Sequence, residues 1–184
     1  MEKRFSLTQK DVDLMRSVFQ PRQLEKGEFL FREGEIARYE AFVARGFLRR
    51  YAIDKKGKEH IVQFAPENWW VRDNKGFSDN EPSEFFTEAI EDSQLLLIDQ
   101  HGHNLLIEKI QGYGPSFQLG LQKNVVAKEK RILHSLVATA EERYNDFLET
   151  YPSIVQRVPQ HMLASYLGIS PETLSRIRSR TQIR

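Results

Sequence analysis

Pro159-Gln160-His161-Met162-Leu163-Ala164-Ser165-Tyr166-Leu167-Gly168-Ile169-Ser170-Pro171-Glu172-Thr173-Leu174-Ser175-Arg176-Ile177 is the stretch whose reading decides the fold. Its first nine residues read as a short helix, Gly168-Ile169-Ser170 as a tight turn, and residues 171–180 as a second helix, which together make a helix-turn-helix. Leu163, Ala164, Leu167, Ile169, Leu174 and Ile177 are spaced so that two crossed helices can share one small core. Ala164 is small enough for close approach, and Gly168 is free to take the positive φ of the turn. Ser170 suits an N-cap and Pro171 a first helical position.

The second helix has two faces. Leu174 and Ile177 point one way, while Glu172, Ser175, Arg176 and Ser179 point the other, so the face left free after packing is polar. A helix of this kind can enter the major groove of DNA, where Arg pairs bidentately with guanine and Glu accepts from cytosine. Glu172, Thr173, Ser175 and Arg176 are the expected base readers. Ser170, Arg178, Ser179 and Arg180, with Arg184 beyond them, are expected to meet phosphates. The bland reading is a solvated helical hairpin with ordinary surface charges. Agreement of caps, small residues, core spacing and charge over the whole stretch argues against it.

Charge is distributed accordingly. Residues 153–184 carry five Arg and one acidic residue, a net of +4, whereas the rest carries 22 basic and 25 acidic residues, a net of −3, giving +1 for the chain. A local basic patch supplies the sequence-independent part of DNA binding, and the nearly neutral whole argues against a histone-like or membrane-coating protein. The 184 residues suffice for one domain of ordinary size plus a small one. The absence of cysteine excludes disulfides, thiolate nucleophiles and cysteine-held clusters. No apolar run approaches the ~20 residues of a membrane span, and no signal-peptide core follows the first residues, so a cytoplasmic location is expected.

Upstream of residue 153, Thr8 and Asp11 are spaced as a capping box for a helix over 8–19 that Pro21 ends. Between residues 23 and 98 the apolar period changes to two. Short runs at 28–31, 41–44, 47–53, 60–64, 85–90 and 95–98 alternate with Gly- and Pro-containing turns, the signature of a sandwich or barrel. The pattern fails between Pro66 and Glu84, where Trp69-Trp70 opens a long polar connection, either a functional loop or an anchored surface one. A short helix is expected over 104–110, a break at Gly112-Tyr113-Gly114-Pro115, and then the longest helix, over 116–138. Leu121, Val125, Ile132 and Leu136 form one stripe on it and Leu119, Val126 and Leu133 a neighbouring one, so it can cover the β-domain and pair with its own copy; Lys128 and Glu129 interrupt the seam. The alternative is a helix packed only within its own chain. A further helix over 140–151 leads to the helix-turn-helix.

This order of β-roll, long helix and C-terminal helix-turn-helix, with Gly168-Ile169-Ser170-Pro171-Glu172-Thr173-Leu174-Ser175-Arg176-Ile177, resembles the bacterial regulators typified by the cyclic-AMP receptor protein and the fumarate–nitrate regulator. The resemblance implies an α+β fold with a β-roll sensor domain over 1–112 like a cyclic-nucleotide-binding jelly roll. It also implies a dimerisation helix over 113–139 and a DNA-binding domain over 140–184. The implied partners are double-stranded DNA at a pseudo-palindromic site, a second copy of the chain, and RNA polymerase, with no cofactor and no membrane. In the family pattern the positions of Glu172 and Arg176 contact bases, and Pro171 departs from an Arg often found there. Cyclic-nucleotide binders of the family carry a Gly-Glu pair and, farther on, an Arg followed by Ser or Thr. Here Val71-Arg72 and Ser83-Glu84 stand at those places, and a carboxylate in place of Arg would repel a buried phosphate. The expectation is a regulator that does not bind cyclic AMP, with Trp69, Trp70, Arg72, Ser83 and Glu84 as candidate lining of a pocket for an unknown effector. Relatives also add a β-hairpin wing after the recognition helix, and the sequence ends at Arg184 without one.

Two other readings compete. A cupin-type metal protein would use His60, His101 and His103, but nothing at suitable spacing completes a ligand set. A protein-interaction module would use the same helix-turn-helix, and its binding would lack the steep salt dependence of DNA contacts. No Ser, His and Asp pattern supports an enzyme.

Overall fold

Thr8 starts the first helix as its spacing predicts. In the computed structural model, which describes residues 7–181 and leaves aside the side chains at 120, 123, 124, 127 and 181, α1 (Gln9–Val18) carries a complete capping box. Thr8 Oγ1 accepts from Asp11 N at 3.2 Å and the Asp11 carboxylate accepts from Thr8 N at 2.8 Å. The helix stops at Val18, its cap Phe19 already extended, ahead of Pro21. Pro21 lies inside β1 (Gln20–Leu24), which pairs only with β8 at the edge of its sheet, where a residue without an N–H is tolerated.

The strands that follow are β2 (Phe29–Phe31), β3 (Tyr39–Arg45), β4 (Leu48–Ile53), β5 (Glu59–Ala65), β6 (Trp70–Val71), β7 (Phe86–Ala89) and β8 (Ser93–Asp99). They form two antiparallel sheets of order β1-β8-β3-β6 and β2-β7-β4-β5. Leu24, Ala41, Val43, Leu48, Ala65, Val71, Ala89 and Leu95 fill the space between them, the alternating inward positions of a β-roll. The connection at 66–84 is more ordered than its polarity suggests: it holds β6 and a π-helical turn at Lys75–Asp79. Gly76 permits that turn, because a Cβ there would meet Ala37 N at 2.5 Å.

Helix α2 (Gln100–Lys109) begins four residues earlier than expected, since Asp99 caps it by accepting from Gly102 N at 2.7 Å. Helix α3 (Tyr113–Val137) also starts early. Gly112 takes φ of 88° at its N-cap, and Gly114-Pro115, expected to break the chain, sits in the first turn, where an amide has no intrahelical acceptor to lose. Thr139 and Glu142 make a second capping box for α4 (Ala140–Thr150). The helix-turn-helix consists of α5 (Gln160–Leu167) and α6 (Pro171–Thr181).

The helix-turn-helix is seated on the roll. One cluster joins Phe47, Tyr51, Ile61, Phe64 and Ile90 of the roll to Tyr144, Phe147, Ile154 and Val158, and continues into Leu163, Leu167, Leu174 and Ile177. Strand β5 is an edge strand, and α5 closes its open side: Ser165 Oγ donates to Glu59 O at 2.8 Å and accepts from Ile61 N at 3.2 Å. Arg157, ahead of α5, spans the turns of the roll, bonding to Glu67 at 2.9 Å and Glu91 at 2.7 Å. Both apolar stripes of α3 remain uncovered within the chain: Val125 is 53% exposed, Ile132 61%, Leu136 78% and Leu133 55%. Among the described residues, no helix is long and apolar enough to cross a membrane.

Candidate functional site

The polar face of α6 rests on a fully packed support. Leu163 and Leu174 are wholly buried, Ala164, Leu167 and Ile177 nearly so, and Gly168 closes α5 with φ of 68°. Ser170 Oγ accepts from Thr173 N at 3.2 Å, which fixes the first turn of α6. Glu172, Ser175, Arg176 and Ser179 are exposed on the side away from this core. The structure thus brings together the residues expected to read bases. Thr173 is half-buried and bonds both Ser170 and Arg176, the latter donating from Nη2 at 3.2 Å, so it orients Arg176 within the group. The Ser170 hydroxyl holds the Glu172 carboxyl below its usual range, keeping it an acceptor.

Among the expected phosphate contacts, Ser170, Ser179 and Arg180 are exposed. Arg178 is different. It is half-buried, and its Nε donates to Tyr144 Oη at 3.3 Å, which turns its guanidinium toward α4. Arg184 lies outside the described residues.

A cavity of about 280 Å³ lies between the roll and α3, bordered by Trp69, Trp70, Arg72 and Glu40 on one side and by Leu121, Val125, Lys128 and Arg131 on the other. A neighbouring cavity of about 530 Å³ shares Lys128 and Arg131 and adds Arg50, Asp73 and Lys75. Three of the five expected pocket residues therefore line a cavity. Ser83 and Glu84 do not. Ser83 is buried, its hydroxyl donating to Asp73 at 2.9 Å and accepting from Phe85 N at 3.0 Å. Glu84 is exposed and pairs with Lys75 at 2.6 Å, so the carboxylate expected to face a buried phosphate sits on the surface instead. The acid buried beside Ser83 is Asp73, ion-paired with Arg50.

Sequence reading missed Glu40, Arg50 and Arg131. Glu40 reads as an outward residue of β3, yet it is 1% exposed and its Oε2 has no hydrogen-bond partner among the described residues. Burial pushes its carboxyl up to about 7 against the opposing pull of the Arg72 cation. Arg72 lies over the Phe77 ring at 4.4 Å and donates to Ser78 at 2.8 Å. Near them His103 is 4% exposed, with Nδ1 3.1 Å from Tyr113 Oη and its ring against Phe117. Burial, helped by the charge of Arg72, lowers its ring to about 4. His60 pairs with Asp54 at 2.8 Å and His101 is exposed, so the three histidines do not converge. No group of three or more His, Cys, Asp or Glu residues arranged to hold a metal occurs among the described residues.

Residues 21–109 match the cyclic nucleotide-binding domain family. The chain is 26% identical over 191 residues to the transcriptional activator protein Anr of Pseudomonas aeruginosa, covering 96% of this chain and 77% of that one. It is 24% identical to the fumarate and nitrate reduction regulatory protein of Vibrio cholerae, covering 97% and 75%. Among solved structures, FixK2 of Bradyrhizobium japonicum superposes with a TM-score of 0.75 at 21% identity, over 90% of this chain and 85% of that one. The global regulator CLP of Xanthomonas campestris, described as responsive to c-di-GMP, gives 0.73 at 15% identity over 96% and 92%. These likenesses show the fold.

Proposed function

We propose that the chain belongs to the family of transcription regulators typified by the cyclic-AMP receptor protein and the fumarate–nitrate regulator, and that it is a homodimeric, sequence-specific DNA-binding regulator acting in the cytoplasm. The observation that carries this reading is α6 itself: Glu172, Ser175, Arg176 and Ser179 exposed together on a helix whose opposite side is fixed by Leu174 and Ile177. Pairing through the exposed stripes of α3 supports the dimer, since a run of apolar side chains left in water is the surface a second copy removes. A dimer places two recognition helices about 34 Å apart, on one face of the duplex. RNA polymerase is the further partner such a regulator requires.

The test is selection of genomic DNA fragments by purified protein beside a Glu172→Ala/Arg176→Ala double variant at two salt concentrations. Enrichment of a two-fold-symmetric site that the variant loses is expected. Equal enrichment by both proteins refutes base reading by α6.

The effector of this regulator is not cyclic AMP. Neither Val71-Arg72 nor Ser83-Glu84 supplies the ribose and phosphate partners of the family pattern, and Ser83 is already committed to Asp73 and Phe85. The cationic borders of the cavities against α3, at Arg72, Lys128 and Arg131, favour an anion of different shape. Micromolar binding of a fluorescent cyclic nucleotide would overturn this.

A further inference from the structure

The helix-turn-helix shares a groove with the hairpin joining β4 to β5. Lys58 and His60 line one side of this groove; His161, at the start of α5, and Ser170 and Pro171, at the start of α6, line the other. The hairpin tip reads Asp54-Lys55-Lys56-Gly57-Lys58. Its acidic charge is consumed internally: Asp54 accepts from the amides of Lys56 at 2.8 Å and Lys58 at 3.0 Å and pairs with His60, which holds its carboxyl at about 2. Glu59, which borders the groove, is held by Arg49. Lys55, Lys56 and Lys58 are exposed and make no ion pair among the described residues. Three ammonium groups therefore stand on a stiff turn whose own acids are already spent.

We propose that this hairpin is a second DNA-backbone contact, in which Lys55, Lys56 and Lys58 hold phosphates of the duplex flanking the half-site that α6 reads. The proposal rests on the DNA-reading function of α6. Helix N-termini and the residues before them are where a helix-turn-helix meets the backbone, and those are the parts that face the hairpin. Ser165 ties α5 to the strand that carries the hairpin, so hairpin and reader present one continuous surface. A protein partner is the less fitting occupant, because Lys is depleted at protein interfaces, whose affinity comes from buried aromatic and Arg anchors.

The experiment uses the full chain and a K55Q/K56Q/K58Q variant. Affinity for the selected site is measured across a salt series on two duplexes, one ending at the site and one extended by about one helical turn on each side. For three phosphate contacts per chain, the variant should lower the slope of log affinity against log salt by about 2–3 per chain on the extended duplex. It should also lose the advantage of the extended duplex while keeping the wild-type sequence preference, and K55R/K56R/K58R should retain both. A wild-type slope for the glutamine variant overturns the proposal while leaving α6 as reader. Wild-type DNA binding combined with loss of polymerase stimulation overturns it too, and makes the hairpin a protein contact. If the wild-type chain selects no DNA, the function of α6 and this proposal fall together.

Discussion

Glu40 and His103 form a pair of buried groups whose effects on stability run in opposite directions with pH. The Glu40 carboxyl is raised from 4.5 to about 7 on folding. The folded chain therefore holds this proton more tightly than the unfolded one, and stability falls as pH rises from 4.5 to about 7. At about 1.4 kcal/mol per pH unit, that loss is about 3 kcal/mol. The His103 ring is lowered from 6.5 to about 4, so the folded chain holds that proton less tightly and stability rises by about 3 kcal/mol as pH rises from about 4 to 6.5. Between pH 4.5 and 6.5 the two slopes cancel. Asp54 and Glu67, both held at about 2 by their hydrogen bonds, add to the rise below pH 5.5 and are ionised in both states above it, so the cancellation is read from pH 5.5 to 6.5.

Removing one member exposes the other. Glu40→Gln should make stability climb with pH from 4.5 to 6.5 and should exceed wild type by up to about 3 kcal/mol at pH 8, because no buried charge forms. His103→Gln should do the reverse, losing stability steadily from pH 4.5 to 7. Both are read from urea unfolding followed by the fluorescence of Trp69 and Trp70, at one protein concentration because a dimer's stability depends on it. Wild-type and Glu40→Gln curves that stay parallel from pH 5 to 8 would refute the reasoning, since Glu40 would then ionise in the fold as it does in water.

Three shorter predictions follow from the geometry. Arg176→Ala should cost ~1–3 kcal/mol of discrimination at one base pair in competition binding, while Arg180→Ala weakens all sequences alike; equal losses on every sequence from both would remove Arg176 as a base reader. Ile132→Asp/Leu136→Asp should turn the proposed dimer into a monomer in sedimentation without lowering the helix signal, because both side chains already face water in the single chain; an unchanged dimer would move the interface off α3. Arg157→Ala should cost about 1 kcal/mol at low salt and less at high salt, since its partly exposed pairs with Glu67 and Glu91 are screened. The same substitution should speed proteolysis of the connection at 152–158, and a rate equal to wild type would deny Arg157 its bracing role.

The parts of the fold legible in the sequence were those fixed by neighbours along the chain. The cap at Ser170, the positive φ at Gly168 and the Thr8–Asp11 box are local devices, and each appears where its residues predict. Most of the roll was legible for the same reason, because period-two alternation is a local signal. The missed features depend on distant contacts. The π-helical turn requires Gly76 to lie against Ala37, and no pattern within residues 66–84 encodes that neighbour. Glu40 was invisible because β3 is covered on both faces at Glu40 and Ala41, so a position that alternation assigns to solvent is buried. Reading charge at aligned positions put Glu84 in a pocket, whereas the chain between the π-helical turn and β7 turns it outward to Lys75. The seating of the helix-turn-helix on β5 was likewise hidden, since Ser165, ordinary in a short polar helix, acquires its role only when an open strand edge lies beside it.

Arg131 joins the three parts of the chain at one side chain. From α3 it donates to Val62 O at 2.7 Å, Ile61 O at 2.8 Å and Tyr166 O at 2.9 Å, and its guanidinium lies over the Tyr166 ring at 4.0 Å. The first two acceptors belong to the open edge of β5 and the third to the last turn of α5, where carbonyls lack intrahelical partners and a cation is favoured by the helix dipole. Arg131 also borders both cavities between the roll and α3. A molecule that enters either cavity therefore meets the group that fixes α3 against the helix-turn-helix. One guanidinium thus holds α3 both to the strand edge of the roll and to the last turn of α5.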